Sequence, residues 1–569
     1  MNNQRKWEIL SKLGRPALPA GRQKSKVKTE EIIDALLKNR GIKSSKERKE
    51  FFNPRHPKDL TLRELGISKS QVVKAIQRIR EAIKKEQIII IYGDYDVDGI
   101  CGTGILFETL YLLHKNVRPH LPDRFSEGYG LNPDSVVKLK DNHSKLGVII
   151  CVDNGISAFT GVAKAKELGI DVIIVDHHYR KKGTLKSFAT VYTKKITGAE
   201  IAWIFAREVR KKLNIKDSQL TKGNGLELAA LGTIADMLPL LGPNRSFAWH
   251  GMKALRQTSR LGLLALFEEA RIVKEKIVSY EVNYIISPRL NAAGRLENAT
   301  DSLRLICTGS RERANELSQH LGRVNTRRQG IQEDIVLHAK NLVAASSAGK
   351  VLVLADESYH EGVVGLAAAK LVEEFGRPAI VFAKGAEISK GSGRSVSGFD
   401  LVSALSKVGK HLISWGGHKA AAGLTISTKK IEVFAKEFAK VADPLLTDEV
   451  LERKLKIDLE LEFAGLTREF LNIIKQFEPT GAGNPAPDFA TNGVTVLTAR
   501  AVGVDGKHLK LKLEKGGFSF DAIAFSRGDL YPFLSPDKKI DIAYSLAENT
   551  WNGQTKIQLK IRDIKIPSK

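Results

Sequence analysis

The chain has 569 residues, 42% of them hydrophobic, enough for about three or four domains of roughly 150 residues with sizeable cores. Ninety lysines and arginines against 64 acidic residues give a formal net charge of +26, which favours a polyanionic partner, nucleic acid before acidic membrane. Several classes are excluded: no run of about 18 apolar residues could span a membrane, and Cys101, Cys151 and Cys307 form neither a close pair nor a zinc spacing. The start, Met1-Asn2-Asn3-Gln4-Arg5-Lys6, lacks the apolar core of an export signal, so a cytoplasmic location is expected. Charge alone also suits a soluble protein from a lysine-rich proteome.

Residues 1–85 are basic and mostly helical in pattern. Lys26 to Arg40 carries apolar residues at helical spacing, and Pro54 and Pro57 break the chain between helices. This stretch reads equally as solvated helices and as an arm that touches nucleic acid. From 86 to 240 the pattern changes to short apolar runs, 88–92, 147–152 and 171–175, separated by helical segments. That alternation predicts a parallel α/β sheet. Each run ends in polar residues: Asp94-Tyr95-Asp96-Val97-Asp98, Asp153-Asn154-Gly155 and Asp176-His177-His178. In such sheets the site lies beyond the carboxyl ends of the strands, where all three clusters would meet. Residues 226–236 read as a helix ending near Asp236, stopped by Pro239.

Residues 241–345 read as a helical region, with a long connector over 300–345. A second α/β unit is expected over 346–445. Its strands are Val351-Leu352-Val353-Leu354 and Ala379-Ile380-Val381-Phe382, and its glycine-rich loops are Gly391-Ser392-Gly393-Arg394-Ser395 and Gly416-Gly417-His418. Residues 446–569 alternate apolar and polar side chains, as in Leu509-Lys510-Leu511-Lys512-Leu513, which suits a small half-exposed β-barrel.

The aspartates carry the chemistry. Asp94, Asp96 and Asp98 alternate, so in an extended chain they share one side. Crowded carboxylates repel and demand a cation. Asp153 and Asp236 add oxygen donors, and His177 and His178 add imidazoles. This set suits manganese or magnesium, and two ions about 3.5–4 Å apart could activate water and clamp a phosphate. Taken singly, Asp153 and Asp236 read as turn or helix-end residues and His177 as structural; their coincidence at one sheet edge favours the metal site. Gly93, Gly99, Gly102 and Gly104 do not make the dinucleotide fingerprint, and three aspartates would repel a pyrophosphate.

In order and spacing, these motifs together with Ala235-Asp236 resemble the DHH phosphoesterase superfamily. Ser287-Pro288-Arg289-Leu290-Asn291-Ala292-Ala293-Gly294-Arg295 and the two glycine motifs narrow the resemblance to the RecJ family, single-strand-specific DNA exonucleases of bacteria. It runs from about residue 50 to the end. The resemblance implies a DHH catalytic domain, a DHH-associated substrate-binding domain and an OB-type barrel that binds single strands. It implies Asp96, Asp98, Asp153, His177 and Asp236 as ligands of two Mn2+ or Mg2+ ions. Asp153 would bridge them, and Asp94 would be a neighbour or ligand. Some members have a histidine where this chain has Tyr92, which cannot replace it as a simple ligand. His178 would sit beside the scissile phosphate, or else orient His177.

Arg289 and Arg295 can contact phosphate bidentately, or else form structural ion pairs. Ser392, Arg394 and Ser395 would form an anion nest, and His418 would meet the terminal nucleotide. In the barrel, Phe518, Phe520, Phe525, Tyr531 and Trp551 are stacking candidates, although aromatic residues in small barrels are mostly core. The expected activity is exonucleolytic removal of nucleotides from single-stranded DNA, with 5′ to 3′ polarity implied by the family, in repair and recombination. The expected partners are single-stranded DNA, a helicase and a single-strand-binding protein, with no membrane and a monomeric chain. Two alternatives remain: a phosphodiesterase of short oligonucleotides or cyclic dinucleotides, and an inactive replication scaffold.

Overall fold

The first described element is a strand. β1 (Lys6–Ile9) pairs in parallel with residues 454–457, so the amino-terminal region is not helical throughout. The computed structural model describes residues 5–12, 29–345, 349–551 and 554–567. The helix expected from Lys26 is found over Thr29–Asn39; residues 26–28 lie outside the described ones. Contacts divide the chain into two units. One comprises Met1–Arg55, Pro239–Ser246 and Arg453–Lys569, the other His56–Leu238 and Phe247–Glu452.

In the larger unit, β2 (Ile88–Gly93), β3 (Val117–His120), β4 (Leu146–Val152), β5 (Asp171–Asp176) and β6 (Ala189–Tyr192) form a parallel sheet in the order β3-β2-β4-β5-β6. Helices cover both faces, and the three central strands are buried almost throughout. Val136, Leu139, Val162 and Ala165 pack from two helices onto Ile90, Ile149 and Cys151. The Val97–Tyr111 helix packs against the Gly198–Leu213 and Leu226–Ala235 helices. Adjacency of β2, β4 and β5 brings Asp94, Asp153 and Asp176 to one edge.

The aspartate run is not extended. Asp96 caps the Val97–Tyr111 helix, accepting from the Gly99 amide at 3.1 Å, and Asp98 lies in its first turn. A Cβ on Gly99 would stand 2.6 Å from the Asp94 backbone, so only glycine lets the helix start this close to the strand.

The 35-residue helix Arg311–Ala345 fills the expected connector. Beyond it, β7 (Leu352–Asp356), β8 (Ala379–Ala383), β9 (Ile388–Arg394), β10 (Leu412–His418) and β11 (Ala421–Ser427) form a mixed sheet in the order β10-β11-β9-β8-β7. Two segments expected as loops are strands here: Gly391 to Arg394 in β9 and Gly416 to His418 in β10. A Cβ on Gly391 would meet the Phe382 ring at 2.3 Å, so that glycine serves close packing and not a turn. Register places His418 opposite Ala421 and Ala421 opposite Arg394, one strand apart.

In the smaller unit, β12 (Lys454–Ile457) pairs with β1, and β13 (Leu459–Glu460) leads into β14 (Asp488–Val502), β15 (His508–Lys515), β16 (Phe518–Ala524), β17 (Lys539–Trp551) and β18 (Gln554–Lys565). The order β14-β15-β16-β18-β17 closes because β17 pairs back to β14, a five-stranded barrel of OB type. Leu509, Leu511 and Leu513 point into its core, as their alternation predicts. Among the described residues no helix is long and apolar enough to cross a membrane.

Candidate metal centre

Asp94, Asp96, Asp98, Asp153, His177, His178 and Asp236 converge beyond the carboxyl ends of β2, β4 and β5. Three overlapping groups offer ligand atoms within 4.8 Å of one another: Asp153, His177 and His178; Asp98, His177 and Asp236; Asp94, Asp96 and Asp153. The groups overlap at Asp153 and His177; a carboxylate can serve two neighbouring ions, an imidazole nitrogen only one. His177 Nε2 lies 3.1 Å from Asp153 Oδ1, 3.8 Å from Asp236 Oδ2 and 3.9 Å from Asp98 Oδ2.

Each side chain has its own support. Asp153, directly after β4, holds φ at 61°, a left-handed backbone conformation. Its buried neighbour Asn154 donates to the Tyr92 and Val152 carbonyls and ties the ends of β2 and β4 together. Asp98 accepts from the Gly198 amide at 2.7 Å and the Ala199 amide at 3.0 Å, at the start of the Gly198–Leu213 helix. That helix end is electropositive and steadies a buried carboxylate. Asp236 ends the Leu226–Ala235 helix, as expected. Asp176 accepts from the His177 and His178 amides and from His178 Nδ1 at 2.8 Å.

Two glycines close the cradle. A Cβ at Gly198 would stand 2.6 Å from Asp153 Oδ1, and one at Gly232 would stand 2.4 Å from Asp98 Oδ1. Neither distance is tolerable, so the carboxylates sit where only glycine leaves room.

The donor set fits divalent cations. Asp153 Oδ1, His177 Nε2 and Asp236 Oδ2 are buried and lack a hydrogen-bond partner. Burial first, then repulsion from their acidic neighbours, holds Asp94, Asp96, Asp153 and Asp236 above the usual carboxylate range. Burial lowers His177 against the pull of Asp98, which favours the neutral imidazole that a metal ligand needs. Burial also pulls His178 down, but its bond to Asp176 and the carboxylates around it outweigh that and raise it to about 9.

Tyr92 takes no part. Its ring is buried and stacked on His120, with its hydroxyl donating to the Gly130 carbonyl at 3.3 Å.

The arginines divide. Arg289 donates to Glu269 at 2.7 Å and to the Ile285 carbonyl, the structural ion pair weighed as its alternative role. Arg295 lies near the carboxylates. Burial, then the charges of Arg124 and Arg328, lowers it to about 10, with Asp96 opposing and Arg394 adding to the effect. Arg394 donates to Ser392 Oγ and the Gly393 carbonyl. Ser395 is turned away, bonding to the Val396 and Phe399 carbonyls. The His418 ring lies 5.6 Å from that of Tyr179, just past the histidine pair.

Three residues were missed by sequence reasoning. Asn291 Oδ1 accepts from the Val97 amide and fixes the start of the aspartate-bearing helix. Arg124 stacks over Tyr95 at 4.3 Å. Tyr129, between Gly128 and Gly130 with φ of 78° and 74°, brings its hydroxyl 3.4 Å from His178 Nε2. Only the flanking glycines could have flagged Tyr129.

On the barrel, Phe518, Phe525 and Tyr531 are exposed, and Phe520 is half-buried against Phe463. The expectation that most are core does not hold for these. The Trp551 side chain lies outside the described residues.

Comparison with known proteins agrees along the whole chain. Residues 88–233 match the DHH family N-terminal domain, 348–443 the DHHA1 domain and 457–563 the RecJ OB domain. The single-stranded-DNA-specific exonuclease RecJ of Haemophilus influenzae is 32% identical over 96% of this chain and 98% of its own. The crystal structure of RecJ in complex with Mn2+ from Thermus thermophilus superposes with a TM-score of 0.82 at 29% identity, covering all of this chain and 81% of that one. The Mg2+ complex from the same organism gives 0.73 at 29% identity, over 94% and 74%.

Proposed function

This chain belongs to the RecJ family, and from that premise we propose that it is a divalent-metal-dependent exonuclease that removes nucleotides from the 5′ end of single-stranded DNA. The observation that carries the reading is the convergence of five aspartates and two histidines on three unpartnered buried atoms. Asp94, Asp96, Asp98, Asp153, His177 and Asp236 would hold two Mn2+ or Mg2+ ions. When bound, the ions lower the pKa of water and neutralise charge on the phosphate.

The chain's own residues do the rest. Asp176 holds His178 by Nδ1, which leaves Nε2 to donate to the departing oxygen. Arg295 and Arg394, with Arg124 and Arg328 close by, form a guanidinium cluster able to grip a phosphate next to the one attacked. A terminal phosphate carries about one more charge than an internal one, so such a cluster favours a strand end. Ser392 orients Arg394, and His418 and Tyr179 offer rings to a neighbouring base. Arg289 and Ser395, bonded elsewhere, contribute by positioning.

An enzyme confined to single strands needs another activity to open duplex DNA. This supports a setting in cytoplasmic repair and recombination beside a helicase and a single-strand-binding protein.

Strands of graded length, labelled at either end, test the reading. Mn2+-dependent release of mononucleotides from the 5′ label of long strands is expected. Preference for dinucleotides would favour the short-oligonucleotide alternative, and no release by wild type would favour a scaffold.

A further inference from the structure

Beneath the carboxylates lies an acidic side chain that the proposed chemistry does not use. Glu200 sits at the third position of the Gly198–Leu213 helix and is fully buried. Its Oε2 accepts from the Thr197 amide at 3.0 Å, and its Oε1 lies 2.7 Å from Thr233 Oγ1. Thr233 belongs to the Leu226–Ala235 helix, and its Oγ1 also lies 2.8 Å from the Ala229 carbonyl. Among the described residues no basic side chain pairs with Glu200.

The protons can be counted. A threonine hydroxyl carries one proton. Thr233 Oγ1 is placed to donate both to Glu200 Oε1 and to the Ala229 carbonyl, and its one proton serves only one of them well. A proton on Glu200 would supply the second of these bonds. Burial points the same way and raises Glu200 to about 8 against its hydrogen bonds, with Asp98 adding repulsion.

The two elements so joined carry the site. The helix that starts at Gly198 holds Asp98 through two amides, and the helix that carries Thr233 ends in Asp236. Asp98 and Asp236 share one candidate ion position with His177.

We propose that Glu200, as a neutral carboxylic acid, is a positioning residue that clamps these two helices and fixes the separation of Asp98 and Asp236. The proposal rests on the metal-site reading above. An uncharged acid suits the place, since another anion below the carboxylates would weaken the grip of their own cradle on them.

Mn2+ binding to the metal-free full chain, followed by calorimetry or by the electron paramagnetic resonance of free Mn2+, tests it without using activity. In Glu200→Gln, the amide nitrogen donates to Thr233 and the oxygen accepts from Thr197, as the neutral acid does. This variant should bind Mn2+ within about twofold of wild type. Glu200→Ala and Thr233→Val should each weaken binding about tenfold, the scale seen when a ligand loses its outer support. Metal-free binding of single-stranded DNA should be unchanged in all three. If Glu200→Ala does not fold, the other two variants decide. A Gln variant as weak as Thr233→Val would overturn the neutral-acid assignment. Wild-type Mn2+ affinity in Thr233→Val would overturn the clamp. Wild type that takes up no Mn2+ would overturn the metal reading itself, and the clamp with it.

Discussion

Asp153 combines two costs in one residue. Its left-handed backbone stores about 1–3 kcal/mol, and its carboxylate is buried among like charges. Such a residue persists only where its neighbours over-determine it, which Asn154 and the Gly198 cradle do. Asp153→Ala should therefore leave a folded protein whose Mn2+-dependent nuclease rate falls by more than about 10²-fold, the scale of losing a main electrostatic stabiliser. Single-turnover kinetics on labelled strands would show it, and a residual rate near wild type would remove Asp153 from the centre. Gly198→Ala tests the cradle, because the added methyl must displace the Asp153 carboxylate. Half-saturation by Mn2+ should rise about tenfold while circular dichroism stays native. Arg295→Ala should raise KM about 10- to 100-fold, the loss of one charged hydrogen bond of about 1.5–3 kcal/mol, with kcat less affected.

At the scale of elements, the central strands were legible because burial on both faces writes an unbroken apolar run. Ile88 to Ile91 is such a run. The edge strands β3 and β6, four residues each, are too short to write one. Glycine misled in the second sheet, since the Gly391 to Ser395 segment suggests a loop, yet Gly391 and Gly393 serve close packing in β9. The alternation of Asp94, Asp96 and Asp98 also misled. Spacing alone cannot show that Asp96 ends a loop and Asp98 begins a helix. The convergence of the candidate site residues was legible, because three strand ends and one helix end each carry metal-capable side chains. Glu200, Asn291 and Tyr129 were not, because each acts through a partner distant in sequence. The barrel aromatics give an element-scale prediction. Phe518→Ala and Phe525→Ala should each weaken single-strand binding by about 1–3 kcal/mol if their exposed rings stack on bases. Fluorescence anisotropy would read this, and unchanged affinity would assign the contact surface elsewhere.

For the molecule as a whole, protons and metal ions compete for the same oxygens. Burial and mutual repulsion raise Asp94, Asp96, Asp153 and Asp236 above their unfolded range, so at these four positions the metal-free folded chain keeps protons that the unfolded one releases. Its stability should then fall as pH rises from the ordinary carboxylate range through these raised values. Cations take the protons' place, so the rise in Tm on adding Mn2+ should be larger at pH 8 than at pH 5.5. A rise that is equal or smaller at pH 8 would contradict this linkage. The net charge of +26 adds a second global expectation, a steep loss of strand affinity with salt through counterion release.

On the reading proposed above, this carboxylate and histidine cluster hydrolyses single strands from a 5′ end. The most direct measurement follows a long single strand and its duplex counterpart, each labelled at the 5′ or the 3′ end, with Mn2+ and with wild type or Asp153→Ala. Labelled mononucleotide should be released early from the 5′-labelled single strand only, and not by the variant. Early release from the 3′ label, equal digestion of duplex, or undiminished activity in Asp153→Ala would contradict it.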